Sequence, residues 1–199
     1  MRHIAGLVAI ATTFVLMVGS TSAAPSRDTL IRPGVGIGKV NLGMTYGAVR
    51  NALGRPSTVL EKRRFGFGSY FVLYAWGLAP KWTVGVLGRG DRARVVSVAS
   101  TLRREKTPSG VGVGSTDRAV QRALGARCFA DWGHTEAVTG RYCFVGKRGK
   151  PRTFFYGTRK CAVPETRYQL CPDGKLTFRV YEVLIANRDG LRLLNLYAD

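Results

Sequence analysis

The chain has 199 residues, with 31 Lys and Arg against 12 Asp and Glu, for a formal charge of +19 at pH 7. That length supports one ordinary domain or two small ones and excludes anything larger. The charge selects anionic partners, and affinity for them should fall steeply with salt.

The chain opens on Met1-Arg2-His3, followed by a nearly unbroken apolar run from Ile4 to Val18 and the small residues "GSTSAAP". This pattern predicts a removable secretory signal over residues 1–23, cut after Ala23, because the run is too short for a comfortable bilayer span. No cysteine stands at the cut, so a lipid anchor is not expected, and no later stretch is long and apolar enough to cross a membrane. Removing the signal takes away Arg2 and no acid, leaving +18 on 176 residues. A secreted, periplasmic or extracellular protein is expected. There the available anions are envelope polymers, lipid head groups, polysaccharides, stray nucleic acid and acidic protein faces.

Gly34 to Val40, "GVGIGKV", resembles a phosphate cradle at first sight. The P-loop pattern, however, needs glycine where Pro33 stands and a hydroxyl where Val40 stands. No strand–turn–helix unit with a downstream acid surrounds it, so a dinucleotide loop is excluded too. A later stretch, "GVGVGST" (Gly110–Thr116), echoes it. At an offset of 71 residues the match runs on, laying "GKVNLGMTYGAVRNALG" (Gly38–Gly54) over "SGVGVGSTDRAVQRALG" (Ser109–Gly125). Val40/Val111, Gly43/Gly114, Thr45/Thr116, Ala48/Ala119, Val49/Val120, Ala52/Ala123, Leu53/Leu124 and Gly54/Gly125 are identical pairs. This is an internal repeat. In each copy Thr45 or Thr116 is placed to cap a short helix, whose apolar stripe is Val49, Ala52 and Leu53 in the first. Gly54 and Gly125 are placed to end the helices, and Gly43 and Gly114 to turn the chain into the caps.

Strand-like runs follow each helix: Ser69–Trp76, Lys81–Gly88 and Arg94–Thr101 in the first half, then Arg141–Gly146, Arg152–Thr158 and Lys175–Ala186 in the second. The expected fold class is therefore α+β. It comprises two repeats of a short helix followed by a three-stranded antiparallel sheet, one over residues 24–106 and the other over 107–199.

The segment "LGMT…V…LG.P", here Leu42-Gly43-Met44-Thr45, Val49, Leu53-Gly54 and Pro56, resembles the small outer-membrane assembly proteins of the BamE type (SmpA/OmlA-like). Its tandem use in an exported chain is similar to the beta-lactamase-inhibitor proteins. The second copy carries Ser115 in place of the methionine and no following proline. The resemblance implies a unit that binds other proteins through its sheet or loops and performs no chemistry.

All four cysteines lie in the second half. Of three possible pairings the sequential one, Cys128–Cys143 and Cys161–Cys171, closes two short local loops and is the one expected in an exported chain. The second would staple an insertion, "CAVPETRYQLC", between the last two strands. Paired C-x2-C spacings are absent, so no zinc site is expected, and no other metal or cofactor is indicated.

Candidates for chemistry are few. Asp131, His134 and Glu136 stand together in a loop that could carry a hydrolase's acid and base or a weak metal site, but no nucleophile motif accompanies them and they read as a solvated polar loop. Arg89-Gly90-Asp91 is an adhesion-type tripeptide on a predicted hairpin tip, but it reads as ordinary turn chemistry, since Gly-Asp is common in turns. Basic residues interleaved with rings stand out in "EKRRFGFGSYF" and "GKRGKPRTFFYGTRK". These make Arg63, Arg64, Lys147, Arg148, Lys150, Arg152, Arg159 and Lys160 the candidate contacts to an anionic partner. Trp76, Trp82 and Trp132 are the candidate anchors for a protein partner if they are exposed. The sequence thus predicts an exported, monomeric, non-enzymatic binding protein for an acidic protein or an anionic envelope polymer. The alternative is an exported hydrolase using Asp131, His134 and Glu136. Specific nucleic-acid binding is disfavoured, since no nucleic-acid module is present.

Overall fold

A computed structural model describes residues 27–65, 68–77, 81–131, 140–161 and 176–194. About half of these residues are strand and about a fifth helix. The glycine-rich start is itself a small antiparallel meander of β1 (Ile31–Arg32), β2 (Gly36–Ile37) and β3 (Val40–Asn41). Gly36 is required there because a side chain would collide with the Val40 carbonyl and with Asn41. The glycines thus serve close backbone approach rather than phosphate binding.

Helix α1 (Tyr46–Leu53) begins as its residues predict. Thr45 Oγ1 accepts a bond from the Ala48 N–H at 3.2 Å, and Val49 is fully buried. Helix α2 (Asp117–Leu124) does the same with Thr116, the Ala119 N–H and Val120. Gly125 ends α2 in the left-handed region. Gly54 also takes a positive φ, but its ψ of −166° lies outside that well.

Each helix start is bonded to the sheet. The Gly43 and Tyr46 N–H groups donate to Val95 and Ala93, and the Gly114 N–H donates to Val180. Arg94 Nη1 also donates to the Gly43 carbonyl at 3.0 Å, as Arg179 Nη1 does to that of Gly114.

Eight strands form one antiparallel sheet. They are β4 (Thr58–Phe65), β5 (Ser69–Trp76), β6 (Trp82–Gly88), β7 (Arg94–Ser100), β8 (Arg127–Asp131), β9 (Gly140–Val145), β10 (Arg152–Cys161) and β11 (Leu176–Ala186). The order across the sheet is β4-β5-β6-β7-β11-β10-β9-β8. This corrects the expected fold class: the protein is mostly β and is not a pair of helix-plus-three-strand repeats. The correction has two physical sources. Strands β4 and β8 lie at the sheet edges, and an edge strand needs little apolar alternation to be held. All of β4 except Glu61 is exposed, so no burial pattern announces it. The second source is the seam, where β7 pairs with β11 from Val183↔Ser100 to Ala186↔Ser97 and joins the strands of both segments.

The two sides of this sheet are unlike. Val84, Val86, Val95, Val98, Phe155, Val183 and Ile185 pack with Val49, Val120 and the β1–β3 meander in the main core. The opposite side carries Phe71, Val96, Phe144, Phe154 and Leu184. It is covered in part by α3 (Arg188–Leu193), which Asn187 caps through the Gly190 N–H. Cys128 and Cys143 are direct partners in the β8–β9 register and form a disulfide. The Cys161 side chain and Cys171 lie outside the described residues, as do the signal segment, Trp132, His134 and Glu136. Among the described residues no helix is long and apolar enough to cross a membrane.

Candidate anion-binding cleft

Alternation along β4 separates its three cations. Lys62 and Arg64 pair with Val72 and Tyr70 and face the main-core side, whereas Arg63 pairs with Phe71 and faces away. Tyr70 in turn pairs with Gly88, and Val72 with Val86, so three strands build one concave corner. Its volume is about 500 Å3, and its charged lining is Lys62, Arg64 and Arg89. Tyr70 and Tyr74 supply rings. Among the described residues, no lining side chain is a carboxylate. The neighbouring acids are held elsewhere: Glu61 by Arg63 on the other face, and Asp91 by Arg50 at 3.1 Å.

The cleft is braced by its own residues. Lys62 Nζ stands 5.1 Å from the Tyr70 ring centroid, a cation–π distance. Arg89 Nε donates to the Gly68 carbonyl, tying the end of β6 to the start of β5. Gly88, at a φ of 132°, lets the chain pass within 2.9 Å of Ala93 Cα as measured from an added Cβ, so only glycine fits. Tyr74 stacks on Tyr46 at 4.4 Å with the rings 10° from parallel. Burial, with Tyr74 beside it, pushes the Tyr46 hydroxyl up to about 12. Tyr46 therefore stays neutral and adds no negative charge next to the cleft. Three cations over aromatic walls can hold a carboxylate, sulfate or phosphate group by charge-assisted hydrogen bonds.

Of the sequence-predicted contacts whose side chains are described, Arg64 alone lines the cleft. Arg63 is used structurally: its guanidinium lies 6.0 Å from the Phe71 ring, and Nη2 donates to the Leu193 carbonyl at 2.9 Å. Lys147, Arg148 and Lys150 are exposed on the β9–β10 turn. Arg152 is 5% exposed, with its guanidinium 5.2 Å from the Phe144 ring. The backbones of Arg159 and Lys160 lie in β10, with their side chains outside the described residues. The two basic groups do not meet, because five strand steps separate β4 from β10, roughly 24 Å at ordinary spacing.

Trp76 and Trp82 face each other across the β5–β6 register and are each 8% exposed. Trp76 Nε1 donates to the Gly54 carbonyl. They therefore serve the core more than a partner. Asp131 ends β8, and its side chain, like His134 and Glu136, falls outside the described residues. The Arg89-Gly90-Asp91 tripeptide leads into a single 3-10 turn over Gly90–Arg92.

The residues missed by sequence reasoning are Lys62, Arg89 and Tyr70. The first and last were legible in principle: reading "EKRRF" as a strand puts Lys62 and Arg64 on one face. Arg89 reaches the site only through the fold.

No protein-family model matches the chain, and no curated protein matches it. Among solved structures it is similar to the uncharacterized protein YfeY from Escherichia coli. The TM-score is 0.47 at 14% identity, over 78% of this chain and 97% of that one.

Proposed function

We propose that this is an exported, non-enzymatic binding protein whose β4–β5–β6 cleft grips acidic groups of its partner, an acidic protein or an anionic envelope polymer. The observation that carries the reading is the cleft itself, with Lys62, Arg64 and Arg89 converging on Tyr70 and Tyr74 and no acid among them. The surplus of 31 basic over 12 acidic residues supports it by drawing polyanions to the surface from a distance. The Cys128–Cys143 disulfide accords with an oxidising compartment.

The test compares two charge deletions of equal size by titrating poly-glutamate into the protein at several salt concentrations. Lys62→Ala/Arg64→Ala in the cleft should weaken binding about ten-fold or more and flatten the salt dependence. Lys147→Ala/Arg148→Ala on the distant turn should change it by no more than about two-fold, as expected for exposed long-range charge. Equal losses from both pairs would mean a generic field effect and would sink the cleft.

A further inference from the structure

The side of the sheet away from the basic cleft holds a second cavity, of about 320 Å3, whose chemistry is the reverse of the first. Among the described residues, its one ionisable carboxyl is Glu182, and no lysine or arginine lines it. A strand irregularity creates it. The β10–β11 register runs Tyr156↔Glu182 and then Gly157↔Val180, leaving Tyr181 as an extra residue in β11. In an unbroken strand Tyr181 and Glu182 would face opposite sides; the bulge brings both to the lining of this cavity.

The remaining walls are set by neighbours. Tyr156 is stacked on Phe154 at 6.0 Å and tilted against Tyr142 at 6.4 Å, so its ring is fixed in place. Tyr181 stands 45% exposed above the sheet. Ser97 Oγ lies in the floor, 1% exposed and without a hydrogen-bond partner among the described residues. Glu182 likewise has neither an ion pair nor a hydrogen bond among them; Asp28, Glu61, Asp91 and Asp117 are each paired with a basic side chain, whereas Glu182 and Glu105 are carboxylates held away from water without one. Burial pushes the Glu182 carboxyl above its ordinary value, as expected for a carboxylate held without a counter-charge.

We propose that this cavity binds a small organic cation, with its ammonium head between the Tyr156 and Tyr181 rings and against the Glu182 carboxylate. Tyrosine faces attract an alkylated ammonium, and the carboxylate supplies the counter-charge that the fold leaves unfilled. Ser97 Oγ offers an acceptor or donor to a hydroxyl carried on the same small molecule. The overall charge of +19 repels cations, so one is held only where a local carboxylate outweighs that field, the part Glu182 plays here.

The experiment is calorimetric titration of the full chain with choline, and with its uncharged isostere 3,3-dimethylbutan-1-ol, at one fixed ionic strength. Saturable choline binding, at least about ten-fold tighter than that of the isostere, is expected, and Glu182→Gln should cut that preference several-fold, leaving only the share that the rings supply. Tyr181→Leu, which removes one of the two rings, should weaken choline about five-fold and leave the isostere's binding within about two-fold. Equal binding of the two probes, no saturable choline binding, or a preference unchanged by Glu182→Gln would each overturn the assignment.

Discussion

At the scale of single residues, Glu105 is, among the described residues, a side chain held far from its ordinary state. It is 1% exposed, and neither carboxylate oxygen has a hydrogen-bond partner among the described residues. Burial pushes its pKa up to about 7, with Ser100 and Arg104 pulling weakly the other way. A folded-state value above the ordinary 4.5 means that the protonated form is the one that fits. Its contribution is complete below about pH 4.5 and is lost as pH rises through 7. The loss is on the order of 3 kcal/mol. Glu105→Gln should therefore raise the melting temperature at pH 8 and change it little at pH 5. The measurement is the difference between variant and parent melting curves across that range. A difference that stays constant with pH would show that Glu105 does not titrate there. Nothing in "RREKTP" marked this glutamate as buried. A charged run reads as a solvated loop, and only the packing of the meander and sheet around it made it otherwise.

At the scale of elements, α3 shows packing reversing a local preference. Gly190 sits inside a six-residue helix, where glycine ordinarily costs about 1 kcal/mol relative to alanine. Here a Cβ would collide with the Val96 carbonyl of β7, so the absent side chain is what lets α3 reach the sheet. Gly190→Ala should thus destabilise by about 1–3 kcal/mol, not stabilise, since overpacking outweighs the helix gain. Urea unfolding checks the sign, and a variant more stable than the parent would refute the close seating of α3. Other elements were readable without the fold. The strand beginning at Ser69 and ending at Trp76 is found at those bounds, and five more predicted runs lie within a few residues of β6, β7, β9, β10 and β11. Their apolar alternation reports burial directly. Strands β4 and β8 lacked that signal, and the cleft lost its Lys62 with them.

At the scale of the whole molecule, the β7–β11 seam decides how the chain behaves. A backbone ladder from Val183↔Ser100 to Ala186↔Ser97 lies in the middle of the sheet, with Val98 and Ile185 fully buried on it. Unfolding either segment would open that ladder and strip its core cover, so the cost is shared. Denaturant-dependent hydrogen exchange should accordingly give one common opening free energy for β5–β7 and β9–β11. Two well-separated values would show that each segment holds its own core.

The sheet also separates the two proposed sites by side and by sign. Alternation sends Lys62 and Arg64 one way, and a bulge turns Tyr181 and Glu182 to the other. What the amino-acid sequence determined by itself was local: the caps at Thr45 and Thr116, their helices, six of the strands, and a cysteine pair close enough to join. Each depends on residues within one element or one hairpin, where hydrogen-bond reach and the side-chain period leave little choice. Tertiary structure alone decided the edge strands, the union of the strands in one sheet, the burial of Glu105, and which basic residues converge. Those depend on contacts between segments distant in the chain, and no short window of sequence contains both partners.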